Sequence, residues 1–99
     1  MMWRQGDVMI QQCDEVPADA QRVKKPVLAE GEQTGHTHRV KDFASAELYR
    51  LRENLYLRVM SDEADVVHPE HHTITLPRGT YRVWKQREFT PARPRPVMD

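Results

Sequence analysis

The chain is predicted to fold as an all-β domain, a small antiparallel barrel or sandwich of about seven or eight short strands. Runs of alternating apolar and polar residues recur along its length, the period of half-buried strands. Glycine, proline, asparagine and aspartate separate these runs. No segment sustains a helical period. Closing the strands into a barrel would remove unprotected sheet edges.

Gly6-Asp7 opens a first strand, Val8 to Cys13. The polar, proline-bounded stretch DEVPADAQRVKKP reads as a loop. Val27 to Ala29 is a short strand, with Glu30-Gly31-Glu32 turning out of it. His36 to Val40 is the next strand, and Asp42–Ser45 or Pro17–Ala20 allows one short helical turn. Ala46 to Leu51 and Leu55 to Met60 read as a hairpin closed by Arg52-Glu53-Asn54. Leu55, Leu57 and Val59 share one face there, and Tyr56 and Arg58 the other. Val66 to His68 and Thr73 to Leu76 are two more short strands. Pro77-Arg78-Gly79 reads as a turn with glycine at a position needing φ > 0. Tyr81 to Phe89 is the longest expected strand, with Tyr81, Val83 and Phe89 on one side and Trp84 on the other. The ending TPARPRPVMD holds three of the seven prolines and cannot join a sheet interior. The expected organisation is therefore one domain over residues 1–90 and a proline-rich basic tail over 91–99.

Ninety-nine residues suit one domain. The 38% hydrophobic and 30% charged composition is that of a solvated globular protein. No apolar run approaches the roughly 20 residues of a membrane span, so no membrane association is expected. The single cysteine, Cys13, excludes an intrachain disulfide and reads as a small core residue. A reducing cytoplasm is the default compartment. Net charge is zero, yet residues 78–99 carry six basic side chains against Glu88 and Asp99. That basic end allows contact with phosphate or RNA.

All five histidines fall in two clusters, His36-Thr37-His38 and His68-Pro69-Glu70-His71-His72. Residues two apart on a strand share a face. His36 and His38 then go with Val40, and His72 with Ile74 and Leu76. These imidazoles are expected to point inward, and His71 outward. Inward imidazoles need partners, since an unpaired buried polar group costs roughly 1–3 kcal/mol. A divalent transition metal satisfies several at once, with N–metal distances of about 2.0–2.1 Å. His36, His38, His68 and His72 are the expected ligands, with Asp42 a further candidate. Zn, Fe, Mn, Ni and Cu all fit an imidazole-rich site. Glu70 is the nearest candidate general base, and so the candidate catalytic residue.

Two short segments resemble the cupin motifs. Gly31, His36, His38 and Asp42 follow the order glycine, HxH, acid, with Gly31 one residue closer than usual and aspartate in place of glutamate. Pro77-Arg78-Gly79 is similar to the second motif's turn, with Arg82 where cupins place histidine. The resemblance implies an antiparallel barrel with an internal metal. Over nearly its full length the chain also resembles a group of short bacterial and phage proteins of uncharacterised activity. The shared segments are Arg4–Val8, Gly35–Val40, His68–Tyr81 and Gln86–Pro91. That resemblance implies a self-contained domain from a mobile element.

Three functions follow from these residues. The first is a metal-binding barrel with a histidine-lined internal site, acting on a small molecule or only holding the ion; the pattern leaves open whether it is an enzyme. The second is metal-free acid–base chemistry on RNA, with a histidine pair and Arg39, Lys85 and Arg87 for phosphate. The third is a non-enzymatic interaction or assembly module, such as a homodimer that covers Trp3, Trp84, Tyr49 and Tyr56. No glycine-rich phosphate loop is present, and Ser45 and Ser61 lie in no nucleophile elbow.

Overall fold

Two 15-residue strands, β7 (Asn54–His68) and β8 (His71–Lys85), form a long hairpin that carries the rest of the fold. In this computed structural model, which describes residues 1–30 and 36–86, six shorter strands flank that hairpin. They are β1 (Met2–Gln5), β2 (Val8–Cys13), β3 (Gln21–Val23), β4 (Val27–Glu30), β5 (Thr37–Val40) and β6 (Ala46–Leu51). All eight are antiparallel and lie in one sheet of order β1-β2-β8-β7-β5-β4. Strand β6 pairs with the first half of β7, and β3 with β6. The sheet curls into a half-barrel, so the all-β, barrel-like expectation holds.

The strands are fewer and longer than the sequence suggests around the hairpin. Leu55–Met60 and Val66–His68 are parts of one strand, as are Thr73–Leu76 and the described part of Tyr81–Phe89. Pro77-Arg78-Gly79 is no turn: it runs through β8 opposite a bulge in β7, where Val59 pairs with Gly79 and Glu63 with Pro77. A bulge is where a sheet tolerates proline, which has no N–H for the ladder. Gly79, at φ +152°, adopts a conformation essentially reserved for glycine. Buried positions change parity there, from Ala64, Val66 and Leu76 on one side of the bulge to Leu57, Val59, Tyr81 and Val83 on the other.

The stretch read as one polar loop contains β3, whose exposed Gln21 and Arg22 hid the strand. Likewise Met2–Gln5 forms β1, joined to β2 by Gly6-Asp7, with Gln5 opposite Val8. The 46–60 hairpin occurs as expected, with Arg52 at φ +58° in its two-residue turn. Of the two candidate helical turns, Phe43–Ser45 forms a 3-10 turn capped by Asp42, whose carboxylate accepts from the Ala44 N–H. Cys13 is half-buried at the end of β2 rather than in the core. The proline-rich ending lies outside the described residues.

The core sits on the concave face. Ile10, Val40, Leu48, Leu57, Val66, Leu76, Tyr81 and Val83 are all almost fully buried, each side chain of this size contributing about 1.5–3 kcal/mol of transfer free energy. Trp3 closes on Tyr81 edge to face, ring centres 5.5 Å apart. Among the described residues no helix is long and apolar enough to cross a membrane.

Candidate functional site

Three strand segments converge at the tip of the long hairpin. Pairing of Arg39 with Val67 and Val40 with Val66 runs β5 alongside the end of β7. This brings His38 against His68, ring centres 4.2 Å apart. His68 pairs with His71 across the hairpin, at 4.6 Å between rings. His71 lies 5.8 Å from His38, and His36 lies 5.8 Å from His68. The two histidine clusters of the sequence therefore meet, and four of the five imidazoles form one group.

His72 is not in that group; it is exposed, and His71 takes its place. The reason is a register shift. Val66 pairs with Ile74 but His68 pairs with His71, so β8 spends three residues where β7 spends two. One extra residue inverts the alternation between Ile74 and the strand start. Strand parity counted back from Leu76 and Ile74 cannot see it. Asp42 is also elsewhere, occupied in capping the 3-10 turn.

Gln5 organises the group from β1, and sequence reasoning missed it because nothing marks a lone glutamine in RQGDV. It is 2% exposed. Its Nε2 donates to the carbonyls of Val66, at 3.0 Å, and His72, at 2.8 Å. Two acceptors on one side require the amide nitrogen there, so Oε1 faces His38. His38 Nδ1 therefore carries a proton and donates to Oε1 at 2.9 Å. The lone pair of neutral His38 is left at Nε2.

The other imidazoles are held differently. His36 Nδ1 lies 3.1 Å from Glu70 Oε1 and donates to it. His68 Nδ1 accepts the backbone N–H of Glu70 at 3.0 Å, which puts the proton of a neutral His68 on Nε2. The turn residue Glu70 thus fixes both. Gly6, at φ +62°, lies so close to His71 that a Cβ there would stand 2.8 Å from its Nε2.

Burial disfavours the charged form of His38, and the neighbouring His68 and His71 add to this. Its pKa falls to about 4, with Asp7 opposing and Lys85 assisting. His68 shifts down as well, first by desolvation and then by His71 and His36, against Glu70 and Asp7. Both rings are neutral at pH 7. Neutral, close-set imidazoles are suited to binding a cation or passing a proton. Among the described residues no three His, Cys, Asp or Glu side chains already converge in a geometry that holds a metal ion.

Residues 4–86 match a family described as Domain of unknown function (DUF8820), and the chain belongs to that family. No curated protein and no solved structure matches it.

Proposed function

We propose that this member of the DUF8820 family binds a divalent transition metal in a site made by His38 and His71, with His36 and His68 beside them. One observation carries the reading: Gln5, itself locked by two carbonyls, holds His38 in the tautomer whose free lone pair is at Nε2, within the imidazole group. Metal-ligating histidines are held in this way, with the second nitrogen donating to a fixed oxygen. The Glu70 carboxylate on His36 Nδ1 supplies the same kind of support. Rings that share one tetrahedral ion stand about 5 Å apart between centres, and the separations here, 4.2 to 5.8 Å, bracket that distance. His68 joins only if it gives up the bond from the Glu70 N–H. A bound ion would supply Lewis acidity to a ligand in the barrel mouth. Cytoplasmic residence and a mobile-element origin belong to the same reading, on the absence of a disulfide and on the segments shared with short bacterial and phage proteins.

The test is elemental analysis of protein purified without added metal, followed by titration of the chelator-stripped protein with Co²⁺ and Zn²⁺. We expect about one ion per chain, and affinity reduced at least tenfold in His38→Ala and His71→Ala. Less than about a tenth of an equivalent, with no saturable uptake, overturns the reading.

A second reading has its own observation. Nε2 of neutral His38 accepts whereas Nε2 of neutral His68 donates, and the two rings are neighbours. Such a pair supports metal-free general acid–base chemistry, on RNA or another phosphodiester. Turnover that persists in excess chelator would favour it over the first.

A further inference from the structure

The barrel mouth beside the histidines contains a cavity of about 210 Å³. Val8, Leu28, Ala29 and Val83 close its base with almost no exposed surface, Leu55 and Trp84 line it from the half-buried shell, and its rim carries Arg50 and Lys85. The register explains why two cations stand there. Val8 pairs with Lys85, and Leu55 pairs with both Val83 and Arg50. Directly opposed residues share a face, and Val8 and Val83 are buried in the core. Lys85 and Arg50 therefore continue the inner face where the apolar residues stop. Positions two residues earlier, Val83 and Leu48, are almost fully buried. Among the described residues neither cation has a carboxylate within ion-pair distance, whereas Arg22, Arg58 and Arg78 each do. Among the described lining residues, Glu53 in the exposed turn is the one acid, against Arg50 and Lys85. Trp84 adds an aromatic wall.

We infer that this cavity binds a small organic acid, its carboxylate held by Arg50 and Lys85 and its apolar body lying against Leu55 and Trp84. Charge complementarity selects the anion, since two cations share one rim. Volume selects the size: the space is below that of drug-sized pockets, about 300–1,000 Å³, and suits a ring or a short chain. Trp84 and Leu55 favour an acid with an apolar body over a bare inorganic anion, which would leave their faces uncovered. Ala29 pairs with His38, so an occupant lies next to the imidazole group. The inference does not require a metal.

The test is titration calorimetry with benzoate and butyrate, against benzamide, butyramide and inorganic phosphate, on the full chain with and without Zn²⁺. We expect saturable binding of the acids in both states, and at least tenfold weaker binding of the amides and of phosphate. Lys85→Ala and Arg50→Ala should each weaken benzoate at least tenfold while leaving the melting temperature within a few degrees, because neither side chain is in the core. Lys85→Arg should restore most of the affinity. The inference is overturned if amides bind as well as acids, if phosphate matches benzoate, if both alanine variants bind as the parent does, or if neither acid binds saturably. Binding of acids by protein that takes up no metal would sink the metal reading alone, and metal uptake without acid binding would sink this one alone.

Discussion

Gln5 shows how much can depend on one uncharged side chain. It bonds to β7, to β8 and to His38 at once, all within the barrel wall. Gln5→Leu keeps the volume but strands two carbonyls and the His38 N–H. Each buried unsatisfied group costs about 1–3 kcal/mol, so urea denaturation should show a loss of at least about 3 kcal/mol. His38 gives a pH prediction at the same scale. Its folded pKa, about 4, lies below the ordinary 6.5. The unfolded chain therefore binds the extra proton first, and stability of the metal-free protein is full above pH 6.5. It falls as pH drops from 6.5 toward 4, by at most about 1.4 kcal/mol per pH unit from this group. His38→Leu should flatten that part of the stability–pH curve. A slope that is unchanged in the variant would assign the titration elsewhere.

The elements were legible where alternation was clean and hidden where it broke. Leu55, Leu57 and Val59 on one face, and the hairpin closed after Leu51, follow from period-two patterning alone. The meeting of the two histidine clusters was legible too, because HxH beside Val40 signals an inward face. What parity could not supply was the pairing shift between Val66 and His68, which exchanges His71 for His72. Bulges are set by the partner strand and leave little trace in one strand's own residues. This exchange is testable: His72→Ala should leave metal affinity unchanged, whereas His71→Ala lowers it at least tenfold. The glycines of these elements also separate cleanly. Gly6→Ala meets both a left-handed backbone and the His71 ring, so it should cost about 1–2 kcal/mol and displace His71. Gly79→Ala meets nothing closer than 3.6 Å; its cost, about 1–3 kcal/mol, is purely conformational. Metal affinity should therefore drop in the first variant and hold in the second.

At the scale of the molecule, the long hairpin is flanked on both sides only along part of its length. Strand β7 lies between β6 and β8 at residues 55–59, and β8 lies between β2 and β7 at residues 80–83. Amides of Leu57 and Tyr81 should therefore exchange with solvent most slowly, and those of the edge strand β1 much sooner. Equal protection across the sheet in native-state exchange would contradict this. Gln5 sits on that edge strand and yet orients His38 on β5, across the sheet. A fluctuation that lifts β1 from the wall withdraws the amide from His38 and frees its ring to change tautomer. Under the metal reading, capture of the ion is thereby tied to the breathing of an edge strand, so whatever clamps the first five residues in place would also act as a volume control on the imidazoles.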